Sequence, residues 1–140
     1  MRKMKDAENI NLLGPPFVNV KGQAAVEKLL QEKRGHVKAA FFRDDIGAID
    51  LVWGEDGKRG FGMAHIIERR SKLGGDASVV LNNLTHVVEK GTLTRETKWD
   101  DNPRFIIEHD GYRVLVDADL RGISVQYVLT AYQIKKQHQR

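Results

Sequence analysis

The sequence predicts an α+β fold, with N-terminal helices packed on an antiparallel β-sheet of about four strands and an additional N-terminal hairpin. Three observations predict it. Apolar residues recur at helical spacing in separate stretches up to Lys90. After Gly91 the period changes to two, and Asp110-Gly111 lies between two strand-like runs as a two-residue hairpin turn. Helices that precede most of the strands, rather than alternating with them, argue against a parallel sheet.

The elements follow in order. Residues 1–20 form a lead-in, polar at first and then reaching Leu12-Leu13-Gly14, with Pro15-Pro16 forbidding helix. Lys21 to Arg34 reads as a helix on the stripe Ala25, Val26, Leu29 and Leu30, with Gly35 as its C-cap. Val37–Arg43 and Ala48–Gly54 are apolar runs of strand length around a turn at Asp44–Gly47, which predicts a hairpin. Glu55–Gly60 is a polar loop. A short helix starting near Gly62 then carries Met63, Ile66 and Ile67 on one stripe, and Gly74-Gly75 ends it. Ala77–Lys90 is a second helix with Val80, Leu81, Leu84, Val87 and Val88 on one face, closed by Gly91. Leu93–Trp99, Phe105–His109, Tyr112–Ala118 and Ser124–Ile134 read as strands, and residues 136–140 as a basic tail. Residues 21–135 are expected to form one domain.

Composition narrows the function. The 140 residues contain no cysteine, which removes disulfide frameworks and thiolate metal sites, and no apolar run approaches membrane-spanning length. Lys and Arg number 23 against 19 Asp and Glu, a modest excess that permits an anionic partner without demanding one. The opening MRKMKDAEN is charged and has no apolar core, so it is not a secretory signal.

The chemistry concentrates on the short central helix. His65 and Arg69 are four residues apart and share a face, with Glu68 at its edge. A base that titrates near neutrality beside a fixed cation suits phosphodiester cleavage. Arg70 falls on the apolar stripe, so either the helix has ended by then or Arg70 is buried and paired. In the last strand, alternation puts Gln126, Val128, Thr130 and Tyr132 on one face and Val125, Tyr127, Leu129 and Ala131 on the other, which reads as core. Lys38 and Arg43 bracket the first hairpin strand and point to opposite faces unless a bulge intervenes. Asp44, Asp45 and Asp50 satisfy no metal spacing, and His36, His86, His109 and His138 are scattered. Gly60-Phe61-Gly62 is too short for a phosphate or dinucleotide loop. No metal and no cofactor is therefore expected.

Gly35–Gly54, Gly60–Arg70 and Val128–Lys135, in that order and at those separations, resemble the phage and polymorphic-toxin branch of the Barnase–EndoU–Colicin–RelE-like (BECR) nuclease superfamily. The resemblance spans about residues 35–135. Met63 stands where the family more often has Leu, and Tyr127 or Val128 where Trp is common. The resemblance implies a metal-independent endoribonuclease, with tRNA as the substrate of several relatives. Position by position, it implies that His65 is the helix histidine, Arg69 or Arg70 the cation after it, and Thr130 and Tyr132 the hydroxyl-bearing residues of the last strand. Lys38 and Arg43 match its first-hairpin segment.

The resulting expectation is a toxin domain that cuts RNA to a 2′,3′-cyclic phosphate. His65 acts as base or acid, Arg69 or Arg70 stabilises the phosphorane, Thr130 hydrogen-bonds a phosphate oxygen, Tyr132 does the same or stacks a base, and Trp53 is a further stacking residue if exposed. An acidic immunity protein is its expected partner. Delivery to a target-cell cytoplasm, as the C-terminal part of a larger secreted or phage-borne protein, is its expected route. The alternatives are a module that binds RNA or a phage structural protein without cutting, and a metal-dependent nuclease using Asp45, Asp50 and His65.

Overall fold

The computed structural model describes residues 13–73, 76–99 and 102–134. Along them run α1 (Gln23–Glu32), β1 (His36–Arg43), β2 (Gly47–Val52), α2 (Gly62–Lys72), α3 (Ala77–Lys90), β3 (Thr92–Trp99), β4 (Asn102–His109), β5 (Tyr112–Leu120) and β6 (Ile123–Gln133). Most of residues 1–20, the Gly74-Gly75 terminator and the basic tail lie outside the described residues.

The strands form one six-stranded sheet in the order β1-β2-β6-β5-β4-β3. The expected four-stranded antiparallel sheet with a separate hairpin is thereby corrected. The hairpin is the near edge of the same sheet, joined by a parallel bridge between Asp50 and Tyr127, so the sheet is mixed. The reason is that β6 has two edges. β5 takes one, and β2 meets the other at the Asp50–Tyr127 bridge. Periodicity identifies strands but not their neighbours.

Local chemistry sets the boundaries. The chain leaves α1 at Lys33, in left-handed conformation with its N–H on the Leu29 carbonyl, two residues before the expected Gly35 cap. Gly35 serves a close approach instead, since a Cβ there would strike the Pro15 carbonyl and the Phe17 ring. That contact stitches the lead-in to β1, where the His36 N–H donates to the Pro15 carbonyl (3.0 Å) and the Phe17 N–H to the His36 carbonyl (2.9 Å). Asp76 caps α3 by accepting from the Ser78 N–H at 2.9 Å. Asp110 and Gly111 both have positive φ, as a type I′ hairpin requires, and Arg121-Gly122 forms a second such turn.

Two bulges matter for the site. Val37 faces Leu51 while Phe41 faces Ile49, so β1 carries two more residues than β2 over that span. The Asp50 carboxylate, only 6% exposed, holds the bulge by accepting from the Ala39 N–H at 2.7 Å. In β6, Leu115 faces Thr130 but Val116 faces Val128, so Leu129 is extra. This breaks the expected strict alternation of the last strand. Val128 and Ala131 turn to the helices with Val114, Val116 and Ile107, whereas Tyr127 packs in a smaller cluster with Phe61 and Leu120.

The main core lies between the sheet and the helices, with Leu29 of α1, Met63 and Ile66 of α2 and Leu81 and Leu84 of α3 all buried in it. Cross-strand partners share a face. The sheet's other face therefore carries Glu108, Arg113, Leu115, Asp117, Tyr127, Thr130 and Tyr132.

Candidate active site

The loop before α2 is closed by paired backbone hydrogen bonds between Glu55 and Phe61 (3.0 and 2.9 Å). The Ala64 N–H in the first turn donates to the Trp53 carbonyl at 2.8 Å, so the end of β2 does what a side-chain cap would otherwise do. Glu68 reaches back to accept from the Gly57 N–H at 2.6 Å. This bond, with the Lys72 ammonium second, holds its carboxyl below the usual range. Loop and helix are thus pinned together around His65.

His65 is half-buried against that loop. Its Nδ1 is buried without a hydrogen-bond partner among the described residues, and a Cβ on Gly60 would come within 2.8 Å of it. Burial pushes the imidazole pKa down and the Arg69 guanidinium pushes it further, with Glu68 and the Gly57 carbonyl opposing more weakly. The result is an imidazole that stays neutral at pH 7.

Arg69 is exposed in the last turn of α2. Arg70 follows neither course expected for it. The helix continues to Lys72, yet no carboxylate meets Arg70 among the described residues. Its Nε is buried and unpartnered, and its guanidinium lies 5.7 Å from the centre of the Tyr132 ring. Burial and the neighbouring Arg69 pull its pKa below the usual arginine value.

A second guanidinium, that of Arg113, lies 5.7 Å from the same ring centre and donates to the Tyr132 hydroxyl at 3.1 Å. Arg113 Nε also donates to Glu108 at 2.5 Å. Thr130 sits beside Tyr132 on this face of β6. The structure therefore brings Arg70, Tyr132 and Arg113 together, with Thr130 adjacent, and places His65 and Arg69 on the helix that delivers Arg70. Two cations converging on one phenol, with a carboxylate on only one of them, make a site that favours an anion.

Sequence reasoning missed Arg113 and Glu108. A signal was present, because a two-residue turn at Asp110-Gly111 sets Glu108 opposite Arg113. The pairing of Arg113 with Tyr132 was not readable, since it depends on the register of β5 against β6.

The remaining candidates lie elsewhere. Arg43 is 8% exposed, and its guanidinium donates to the carbonyls of Val88 (2.7 Å) and Gly91 (2.9 Å) and to both oxygens of Asp45. Its donors are committed to the C-terminal end of α3, which withdraws it from the substrate-binding set. Lys38 is exposed and lies 3.9 Å from Asp50 at the β1 bulge. The bulge adds residues without bringing the two cations to one face. Trp53 packs against the main core and lines a depression with Ala64, Ile67 and Glu68, a different flank of α2 from the one that meets Tyr132. Among the described residues no three His, Asp or Glu side chains converge as metal ligands, and no helix is long and apolar enough to cross a membrane.

Helices on one face of a sheet, with arginines and hydroxyls gathered at the other, define an α+β domain built to receive an anionic substrate. The family model described as phage-Barnase-EndoU-ColicinE5/D-RelE like nuclease1 (PBECR1) matches residues 40–138, and the chain belongs to this family of nucleases. The match runs from the second half of β1 through β6 and takes in every candidate side chain except Lys38. Comparison with curated proteins finds no match.

Proposed function

We propose that this domain is a metal-independent endoribonuclease that cuts RNA, tRNA above all, by attack of the ribose 2′-hydroxyl on the adjacent phosphate. The observation that carries the reading is the convergence of Arg70, with its buried unpartnered Nε, and Arg113 on Tyr132. Two guanidiniums so placed hold the non-bridging oxygens of a phosphate and stabilise the extra charge of the phosphorane. Tyr132 and Thr130 donate further hydrogen bonds, and exposed Arg69 adds field without fixed geometry.

His65, kept neutral by burial, takes the proton of the 2′-hydroxyl. The 2′-oxygen bonds to phosphorus, the P–O5′ bond breaks, and the leaving 5′-oxygen takes up a proton. The products are a 2′,3′-cyclic phosphate and a 5′-hydroxyl. In a phage-borne or secreted parent, such a domain acts as a toxin in the target cytoplasm, and an acidic immunity protein covering the arginine-bearing face neutralises it.

Incubation with total tRNA in EDTA tests this reading. The expected result is fragments with cyclic phosphate ends, which disappear with His65→Ala while the folded signal is retained. Intact tRNA in EDTA with cutting restored by a divalent cation, or a fully active His65→Ala variant, overturns it. Binding of tRNA without cutting under any condition favours the non-catalytic module.

A further inference from the structure

Further along the same sheet face lies a cavity of about 560 Å³ that the chemistry above does not use. Arg59, Arg104, Arg121, Asp119, Tyr127 and Leu129 are among its lining. It is separate from the Arg70–Arg113 site. Arg113 and Asp117 share a face of β5 four residues apart, which places their Cα atoms about 13 Å from one another at ~3.3 Å per residue. One phosphate cannot touch both, whereas a short single strand reaches both.

Two of the three arginines lining this cavity already meet a carboxylate, unlike Arg70 beside Tyr132. Arg104 Nη2 donates to Asp117 at 2.8 Å, and Arg121 Nη2 donates to Glu55 at 3.0 Å and to the Arg59 carbonyl at 3.2 Å. A phosphate gains little where carboxylates already neutralise the cations. What remains is a matched set of directional groups on an apolar floor. Arg104 Nε is buried with no acceptor among the described residues. Asp119 has one oxygen on the Gly122 N–H at a long 3.4 Å. Among the described residues no donor is bonded to the other oxygen. The floor is Leu129 and the edge-to-face pair Phe61–Tyr127, with ring centres 6.1 Å apart, and Arg121 stacks over Phe61 at 5.2 Å. The Tyr127 hydroxyl is tied to the Asp119 carbonyl at 3.3 Å, which fixes that wall.

We infer that this cavity is a base-reading subsite: it takes an unpaired nucleobase flanking the cut, with Arg104 donating to an acceptor on the base edge and Asp119 accepting from a donor beside it. Planar heterocycles offer such adjacent donors and acceptors and bury well against apolar and aromatic walls, and unpaired RNA is read in this way. The type I′ turn at Arg121-Gly122 has a role in this arrangement, because it turns Arg121 back to roof the floor. The inference rests on the ribonuclease reading for the position of the cut and adds a determinant of where along an RNA the cut falls.

The test is to digest a randomised RNA pool with the wild type, Asp119→Asn and Arg104→Gln, and to sequence the cut ends. Wild type is expected to show a base preference at one position displaced from the scissile bond. That preference should flatten several-fold in both variants, while kcat/KM on a dinucleotide substrate stays within about twofold. Asp119 is only partly buried, so Asp119→Asn decides the matter if Arg104→Gln fails to fold. A displaced preference that persists in Asp119→Asn overturns the subsite and leaves the ribonuclease reading standing. If the wild type cuts no RNA, the ribonuclease reading fails, and the cavity is judged on binding of 2′-deoxy tetranucleotides. Affinity that depends on the base in the wild type and not in Asp119→Asn supports it, and base-independent affinity overturns it.

Discussion

At the C-terminal end of α3, Arg43 is buried and donates to two helix carbonyls and both oxygens of Asp45. In the last turn of α2, Arg70 is partly buried, but its Nε has no acceptor among the described residues and its neighbours include a second arginine and a phenol. Each cation sits where a helix end favours positive charge. What differs is whether the fold itself supplies the acceptors. Where it does, the arginine is part of the scaffold. Where it does not, part of the cost of desolvating the cation stays unrecovered in the fold, and the proposed phosphate would offset it. Tracing each donor to its acceptor separates two residues that look alike in sequence.

The largest expected effect sharpens the scaffold side. Arg43→Ala leaves the Val88 and Gly91 carbonyls at the end of α3 without their donor, and we expect a loss of about 2–6 kcal/mol in urea unfolding, about 1–3 for each buried acceptor left unmet, with little added by the exposed Asp45. Activity per folded molecule should be unchanged. A variant that melts like the wild type but cuts RNA poorly would place Arg43 in the site.

Arg70→Ala should do the reverse. Cleavage is expected to fall by about 10²–10³-fold, the usual effect of removing one donor to a transition-state oxyanion. The melting temperature should hardly move, because the Nε removed has no acceptor among the described residues. A large destabilisation with cleavage intact would erase the contrast with Arg43.

The smallest effect concerns pH. His65 has its pKa lowered, first by burial and then by Arg69, so its neutral form persists below pH 6.5. If neutral His65 is the base, activity should be full above that value and fall only as pH drops through the depressed pKa. Arg69→Ala removes a positive neighbour, and the acidic limb of kcat/KM should move up toward 6.5 while activity at pH 8 changes little. A limb that stays in place or moves down would mean that Arg69 does not act on His65. The same shift bears on stability. Since the folded-state pKa lies below the unfolded one, the stabilisation is complete above pH 6.5 and is lost as pH falls toward the folded value.

Much of this molecule was readable before its structure. The stripes on α2 and α3, the first hairpin and the turn at Asp110-Gly111 follow from spacing and turn chemistry. The family resemblance was readable too, and the family match supports it; the placing of His65, Arg69 and Arg70 on one helix followed from their spacing. Less readable were the faces of β6. A single extra residue at Leu129 moves Val128 into the main core and leaves Tyr127 with Phe61 on the other side of the sheet. Bulges have no reliable local signature, because the extra residue is defined only against a partner strand.

The sequence alone determined which segments are helices and which are strands, where most turns fall, and that His65, Arg69 and Arg70 lie together on α2, because these depend on residues close together along the chain. The tertiary structure alone decided that β2 pairs in parallel with β6, that Arg113 meets Tyr132, and that Arg43 is spent on the end of α3 while Arg70 is not. Those outcomes rest on strand register and on contacts between distant segments, and a single-residue shift in register reverses which face a side chain occupies.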